Sequence, residues 1–305
     1  MAGDHDRMWT IRELMKFSID HLTKHGFEDP RLNVELLLSH ALQCQRISLY
    51  TSFDKPISKE ELRQYRALYE RRLNREPVQY IVGTVGFMGL QFNVDRRVLI
   101  PRPETETLVE QVMLQCKHWE DRKEISMVDV GTGSGNIAIA VAKFVRNASV
   151  VAVDNSVTAL EVARENAARL VGAEKIQFEL MDAFEPMDQF LRRRFDLLAS
   201  NPPYVARDEW ETLQVEVRRF EPESAVTDGM DGLEFYRRIV ELSPLLLADF
   251  GHVLVEVGYG QADAVRSIFE TARFEIVEVV RDLQGIPRVV HATCRASSRN
   301  PVYTN

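Results

Sequence analysis

Four consecutive residues, Asn201, Pro202, Pro203 and Tyr204, have the side chains and the position needed to hold a flat NH2 group. They follow the apolar run 195–200, which is typical of a buried strand in a parallel sheet. Open α/β sheets bind their ligands at the carboxyl ends of such strands. The prolines lack an N–H, so they cannot extend the sheet and their carbonyls stay free. The Asn201 side-chain oxygen and the Pro202 carbonyl can therefore accept both hydrogens of one NH2 group, with Tyr204 packed on its face.

A glycine-rich loop, residues 131–135, joins the first strand of the alternating region to its helix and has the pattern G-x-G-x-G. Glycine lets a backbone turn tightly and approach a ligand where a side chain would clash. The dinucleotide pattern G-x-G-x-x-G needs glycine at position 136, where this chain has Asn136. The loop therefore favours a nucleoside cofactor that lacks a pyrophosphate.

Acidic side chains end the next two predicted strands. Asp154 ends the second strand, where its carboxylate can accept hydrogen bonds from both hydroxyls of a ribose. Asp182 ends the third strand, followed by Ala183 and Phe184, and can reach the exocyclic amine of an adenine. Ordinary core packing explains Phe184 equally well. The glycine loop and these two carboxylates together predict an adenosine-binding edge.

An alternation of strands and helices from residue 126 to residue 294 predicts the framework that positions these residues. The expected fold is a Rossmann-like α/β sheet of seven mostly parallel strands. Too few residues separate the last two strands for a crossover helix, so the last strand is expected to be antiparallel. The predicted strands are 126–130, 149–154, 175–180, 195–200, 252–258, 274–281 and 288–294.

The front of the chain has helical periodicity and predicts a small N-terminal helical domain over residues 1–77. Capping-box patterns at Thr10 and Ser58 and the Pro30 helix start predict its three helices. Glycine-punctuated β-forming residues over 78–100 predict a bridging hairpin. The basic cluster of Arg71, Arg72 and Arg75 is interpreted as a solvated helix face, with contact to RNA or to an acidic protein as the alternative.

Composition narrows the classes of protein that fit. The net charge of −8 and the pI near 5.5 make a broad phosphate-binding surface less expected. The three cysteines are far apart and form no C-x-x-C pair, so neither a disulfide framework nor a zinc site is indicated. No apolar run approaches the roughly 20 residues of a membrane span. We expect a cytoplasmic protein with no metal and no membrane partner.

The order of these motifs resembles the class I S-adenosylmethionine-dependent methyltransferases that methylate nitrogen on a planar amide or amine. Three segments together more narrowly resemble the HemK/PrmC family: 75–83, 100–106 and 201–204. The likeness extends through 282–288 and so covers nearly the whole chain. Asn-Pro-Pro-Tyr alone is shared with adenine-N6 methyltransferases, whereas its combination with the Pro-Arg-Pro loop at 101–103 is much more specific.

The resemblance implies methyl transfer from S-adenosylmethionine to the side-chain amide of the glutamine in the Gly-Gly-Gln motif of class 1 peptide chain release factors. It implies a substrate-recognition domain over 1–77, a class I methyltransferase domain over 101–305, and a lid or substrate channel within 205–231. The implied catalytic residues are Asn201, Pro202 and Tyr204. The implied substrate-binding residues are Asn201, Pro202, Pro203, Tyr204 and Arg102. The implied cofactor-binding residues are Gly131, Thr132, Gly133, Ser134, Gly135, Asp154, Asp182, Ala183, Phe184 and Asn201.

One position departs from the family's pattern. Many relatives carry a large aromatic residue where this chain has Ala183, which puts the stacking contact with adenine in question. Phe184 is the neighbouring candidate to replace it.

Other functions stay open from the sequence. A sister family methylates a glutamine of a ribosomal protein, although the Pro-Arg-Pro loop argues against it. Adenine-N6 methylation of nucleic acid has the basic run 192–194 as its best support, but the acidic balance disfavours it and no stable nucleic-acid binding is expected. A non-catalytic cofactor-binding protein conflicts with the intact Asn-Pro-Pro-Tyr motif.

Overall fold

The computed structural model describes residues 8–185 and 194–294, and within them the chain divides into two compact units. The first unit holds the chain up to Gly83 together with Gln214–Phe220. The second unit holds Thr84–Leu213 and the chain from Glu221 onward. Of the basic run at 192–194, only Arg194 lies within the described residues. No helix in the described ranges is long and apolar enough to cross a membrane.

The first unit is helical, as predicted. Both predicted capping boxes are present, with Thr10 and Glu13 at the first helix and Ser58 and Glu61 at the fourth, so these helix starts are confirmed. Two short helices were not predicted from the periodicity. The helices are α1 (Ile11–Lys24), α2 (Pro30–Ala41), α3 (Arg46–Thr51), α4 (Lys59–Leu73) and α5 (Val78–Val82).

Helix α5 corrects the prediction that β structure begins at residue 78. Its residues are β-formers, but Val78 and Ile81 are both buried and lie three positions apart, a spacing that a helix places on one side. Gly83 follows with φ 78°, a left-handed conformation that ends the helix. Burial therefore overrode local β propensity in this segment.

The predicted hairpin exists but is shorter than expected. It consists of β1 (Thr84–Phe87) and β2 (Leu90–Asn93), which pair antiparallel in the second unit. Phe87 and Phe92 are both buried in that unit and meet edge to face, with ring centroids 5.9 Å apart. This aromatic pair fixes the hairpin on its own unit.

The second unit is built on a sheet of seven strands in the order β5-β4-β3-β6-β7-β9-β8. Strands β3 to β7 pair parallel, and β9 is antiparallel to both β7 and β8. The predicted mostly parallel sheet with an antiparallel last strand is confirmed. The strands are β3 (Ile125–Val130), β4 (Ala148–Asp154), β5 (Ile176–Leu180), β6 (Phe195–Ser200), β7 (Leu247–Glu256), β8 (Glu275–Arg281) and β9 (Pro287–Thr293).

Alternate residues of these strands point to opposite faces of the sheet and pack into two separate hydrophobic cores, one on each face. Val128 and Val151 pack with the helices that begin at Glu234 and Ala262, whereas Met127 and Val150 pack with those that begin at Glu104 and Asn136. Strands buried on both faces explain the nearly continuous apolar runs in the sequence. The remaining helices are α6 (Glu104–Lys117), α7 (Asn136–Phe144), α8 (Val157–Leu170), α9 (Val215–Phe220), α10 (Glu234–Leu246) and α11 (Ala262–Thr271).

Helix α9 belongs to the first unit and is held there by charge. Glu216 Oε1 accepts hydrogen bonds from both terminal nitrogens of Arg72, each at 3.0 Å, and lies 3.4 Å from Arg75 Nη1. The Arg72 side chain is only 7% exposed, and its guanidinium lies 4.4 Å from the centre of the Phe27 ring. The interpretation of this basic cluster as a solvated face is therefore wrong for Arg72, because its partner lies far away in sequence.

Candidate active site

A cleft of about 840 Å³, including space open to solvent, lies at the carboxyl edge of the sheet. The strand order reverses between β3 and β6, and this is where open α/β sheets bind ligands. From the predicted site, the cleft is lined by Gly131, Gly133, Asp154, Asp182, Ala183, Asn201, Pro202 and Pro203.

The glycine loop is tied to the neighbouring strand and packed closely at its end. The N–H groups of Gly131 and Thr132 both donate to the Val153 carbonyl, at 2.9 and 3.0 Å. Gly135 has φ 82°, and a Cβ there would lie 2.8 Å from Ile139 Cδ1. A side chain at this position is excluded both by the backbone conformation and by the space. Gly131 and Gly133 line the cleft, so there the loop presents bare backbone.

Asp129 is fully buried beneath this loop. Its Oδ2 accepts hydrogen bonds from Thr132 Oγ1 at 2.6 Å and from the Ala138 N–H at 3.2 Å, but Oδ1 has no partner among the described residues. Burial raises the pKa of Asp129 to about 7, against the opposing effect of those hydrogen bonds. Oδ1 is thus a buried acceptor for which the described residues supply no donor.

Asp154 faces the cleft with both carboxylate oxygens already oriented. Oδ2 accepts from the Gly133 N–H at 2.8 Å, and Oδ1 accepts from the Ser156 N–H at 2.9 Å. Burial raises the pKa of Asp154, while these N–H donors favour its charged form. Each oxygen keeps a further lone pair, so the carboxylate can still accept two ribose hydroxyls.

The cleft also has an aromatic lining residue that the sequence did not indicate. Ala183 lines the cleft, but Phe184 does not and is 45% exposed. The Phe184 ring instead meets Phe235 edge to face, with centroids 5.0 Å apart, and Phe235 does line the cleft. Phe235 lies on α10, about fifty residues further along the chain. In the sequence, an aromatic residue within a helical pattern looks the same whether it lines a binding site or packs in the core, so Phe235 could not be singled out.

The Asn-Pro-Pro-Tyr segment opens into the same cleft through its first three residues. Asn201 Nδ2 donates to Thr105 Oγ1 over 3.1 Å, which leaves the Asn201 side-chain oxygen as a free acceptor. Tyr204 does not line the cleft. Its carbonyl accepts from Gln261 Nε2 at 2.8 Å, and burial raises the pKa of its hydroxyl. Stacking of Tyr204 on a substrate stays a prediction.

Arg102 is engaged by a buried carboxylate. Its Nη2 lies 2.5 Å from Glu221 Oε1, and Glu221 Oε2 accepts from the Ile100 N–H at 3.2 Å. The Glu221 side chain is 2% exposed, so this pair fixes the Pro-Arg-Pro loop to the start of the segment that follows. The next residues of that segment, Pro222, Ser224 and Ala225, line the cleft. Binding of substrate by Arg102 stays a prediction.

The remaining predicted cofactor residues lie beside the cleft rather than on its surface. Thr132 and Ser134 are buried residues of the loop itself, at 2% and 1% exposure, and Gly135 is the residue immediately before α7. The structure thus gathers most of the predicted residues at one edge. It adds Phe235, Thr105 and the segment Arg97–Leu99, none of which the sequence analysis singled out.

Comparison with known families matches two parts of this chain. The PrmC N-terminal domain matches residues 13–83, and a methyltransferase domain matches residues 121–231. The first match falls on the helical unit and the second on the strands that carry the glycine loop, Asp154 and Asn201.

Curated relatives align over nearly the full length. A release factor glutamine methyltransferase of Geobacter sulfurreducens is 44% identical over 93% of this chain and 96% of its own length. A protein of the same name from Rhodopirellula baltica is 39% identical over 94% and 97%. A solved methyltransferase from Pyrococcus furiosus shares the fold, with TM-score 0.50 and 16% identity over 76% of this chain and 98% of that one.

Proposed function

The chain belongs to the release factor glutamine methyltransferases, and we propose how its cleft carries out their S-adenosylmethionine-dependent reaction. The observation that carries the proposal is the shared cleft. Asn201 and Pro202 line the same space as the glycine loop and Asp154, so a side-chain amide and a nucleoside cofactor fit side by side. The target is the glutamine of the Gly-Gly-Gln motif in class 1 release factors.

The chemical difficulty of the reaction lies in the nucleophile. An amide nitrogen is a poor nucleophile because its lone pair is delocalised into the carbonyl. The Asn201 side-chain oxygen and the Pro202 carbonyl accept its two hydrogens, which fixes the nitrogen and favours a localised lone pair. Alignment of this kind can lower a barrier by about 7–11 kcal/mol. The lone pair of the held nitrogen would form the bond to the methyl carbon while the carbon–sulfur bonding pair would stay on the sulfur, and one N–H proton would then pass to water.

The residues around the glycine loop fit the cofactor. When bound, S-adenosylmethionine supplies a methyl group on a positively charged sulfur. Gly131 and Gly133 leave open space where a Cβ would stand, and Asp154 offers lone pairs to the ribose. Asp182 lines the cleft and can accept from the adenine amine.

The helical unit, together with α9, is proposed to recognise the release factor outside its Gly-Gly-Gln loop. The support is the match of residues 13–83 of this unit to the PrmC N-terminal domain. We also propose a cytoplasmic location, because release factors act there, and no stable binding of nucleic acid, because the net charge is −8.

The direct test is incubation with methyl-labelled S-adenosylmethionine and a purified class 1 release factor. We expect label in the wild-type factor and none in a factor whose Gly-Gly-Gln glutamine is replaced by asparagine. Ribosomal proteins and total RNA are tested as alternative substrates in separate reactions. Label in RNA, in a ribosomal protein, or in the substituted factor would contradict the proposal.

Phe235 is expected to stack on the adenine. It would replace the aromatic residue that many relatives carry where this chain has Ala183. Phe235→Leu keeps an apolar side chain but removes the flat ring, and aromatic stacking on a base contributes about 1–3 kcal/mol. We therefore expect S-adenosylhomocysteine to bind roughly 5- to 100-fold more weakly, measured by calorimetry. Phe184→Leu is the matched control and should change the affinity much less. Equal losses in the two variants would refute the stacking role of Phe235.

A further inference from the structure

The side chain of Gln261 connects three loops of the second unit. Gln261 is half-buried and immediately precedes α11. Its Nε2 donates to the Tyr204 carbonyl at 2.8 Å and lies 3.5 Å from the Gly232 carbonyl, and its Oε1 accepts from the Gly258 N–H at 3.1 Å. These three partners lie after β6, before α10 and after β7. One amide therefore joins the Asn-Pro-Pro-Tyr segment to the two loops beside it.

The orientation of the Gln261 amide is set by main-chain groups alone. A backbone N–H only donates, and a backbone carbonyl only accepts. The oxygen end of the amide must therefore face the Gly258 N–H, and the NH2 end must face the Tyr204 carbonyl. Neither contact depends on the protonation state of a neighbouring side chain.

Two glycines leave no room for another side chain beside this amide. A Cβ at Gly258 would lie 2.6 Å from Gln261 Oε1 and 2.9 Å from Tyr204 Cδ2. A Cβ at Gly232 would lie 2.5 Å from the Tyr204 carbonyl oxygen and 2.9 Å from Gln261 Nε2. The absence of side chains at these positions lets both loops approach the Asn-Pro-Pro-Tyr segment closely enough for one glutamine to reach all three.

The Asn-Pro-Pro-Tyr segment is short and stiff between two anchored ends. At its start, Ser200 is the last residue of β6, a central strand of the sheet. At its end, Gln261 holds the Tyr204 carbonyl, and the next N–H, that of Val205, donates to the Val226 carbonyl at 3.0 Å. The ring of each intervening proline fixes its φ angle, so this backbone has few ways to bend. A shift of the Tyr204 carbonyl is therefore passed back along the segment.

We propose that Gln261 is a positioning residue that keeps the Pro202 carbonyl in place for the substrate amide. It does so by holding the Tyr204 carbonyl, two residues further along the stiff segment. The proposal rests on the function proposed above, in which the Pro202 carbonyl accepts one N–H of the glutamine. Gln261 does not line the cleft, so it acts through the segment and not on the substrate itself.

Gln261→Met removes the amide and keeps a side chain of similar length. We expect kcat on the release factor to fall on the order of 10²-fold, as it does when a reacting group is misplaced by about 1 Å. S-adenosylhomocysteine affinity should stay near the wild-type value, because the glycine loop and Asp154 are unchanged.

The matched control is Gln115→Met. Gln115 is also half-buried, and its Nε2 lies 3.5 Å from His252 Nε2, away from the Asn-Pro-Pro-Tyr segment. This variant should keep the wild-type kcat. Wild-type kcat in Gln261→Met, or an equal loss in Gln115→Met, would overturn the proposal.

Gln261→Glu tests hydrogen-bond donation separately from packing. An ionised carboxylate can accept from Gly258 but cannot donate to the Tyr204 carbonyl, whereas a neutral carboxyl can do both. The ratio of kcat in Gln261→Glu to wild-type kcat should therefore rise as the pH is lowered, and the ratio for Gln261→Met should stay flat. Asp129 and Glu256, whose pKa values burial raises to about 7, are present in all three proteins, so their titration cancels in the ratios. A flat ratio for Gln261→Glu would refute donation by this side chain.

A measurement without substrate separates this proposal from the proposed function. The Val205 N–H directly follows the Tyr204 carbonyl, so its NMR signal responds to the hydrogen bond there and can be assigned by its absence from Val205→Ile. We expect this signal to shift in Gln261→Met and to stay in place in Gln115→Met. An unmoved signal in Gln261→Met would refute the positioning role whatever substrate the enzyme methylates. A shifted signal, together with a wild-type enzyme that does not methylate the release factor, would support the hydrogen bond and refute the proposed function.

Discussion

Asn201→Ala is expected to lose methyl transfer to the release factor while keeping its affinity for the cofactor. The substitution removes the side-chain oxygen that accepts from the substrate amide and leaves the glycine loop and Asp154 unchanged. Removal of one such group at a reacting centre lowers kcat on the order of 10²–10³-fold. The measurement is single-turnover labelling of the factor, with S-adenosylhomocysteine affinity determined on the same preparation.

The matched control for this prediction is Asn147→Ala. Asn147 precedes β4 at the opposite edge of the sheet, and its Nδ2 donates to the Arg122 carbonyl at 2.9 Å. Its loss removes an asparagine hydrogen bond of similar length far from the cleft, so kcat should stay near the wild-type value. An Asn201→Ala enzyme as active as the control would exclude the proposed clamp. A parallel loss of cofactor affinity would assign Asn201 to the cofactor instead.

The sheet could be predicted from the sequence because its evidence is local. Each strand is a short apolar run followed by a turn and a helical period, and the short separation of the last two strands determined the direction of β9. Glycine and asparagine motifs stand directly after β3 and β6, so their meeting at one edge follows from the topology alone. The first and fourth helices could likewise be predicted from residues three positions apart, at Thr10 and Ser58.

The features that escaped prediction depend on residues distant in sequence. Arg72 looks like a surface residue until Glu216 is known to lie beside it. Thr105 looks like part of a helix start until it is seen to accept from Asn201, 96 positions away. Phe235 reaches the cleft only because α10 packs where it does. Periodicity indicates which face of an element is buried, but it does not identify the partner element or the ligand that covers it.

Asp154 supports the glycine loop and is also proposed to bind the ribose of the cofactor. Its replacement is therefore expected to cause the second large loss, which is a loss of cofactor affinity. Its oxygens hold the Gly133 and Ser156 N–H groups and are also proposed to accept the ribose hydroxyls. Asp154→Ala removes all of these interactions. Hydrogen bonds to a charged group contribute about 1.5–3 kcal/mol each, so S-adenosylhomocysteine affinity should fall on the order of 10²-fold or more.

A ligand without ribose hydroxyls distinguishes the two tasks. The 2′,3′-dideoxy analogue of S-adenosylhomocysteine should bind the wild type more weakly than the parent compound, on the order of 10²-fold or more, because it cannot donate its two hydrogen bonds to Asp154. On Asp154→Ala the two ligands should bind equally, since the acceptor is gone, and both should be weakened by the loss of loop support. The difference between the affinity ratio of the two ligands on the wild type and the same ratio on Asp154→Ala measures the contact between Asp154 and the ribose. If the analogue is weakened equally on both proteins, Asp154 supports the glycine loop and does not bind the ribose.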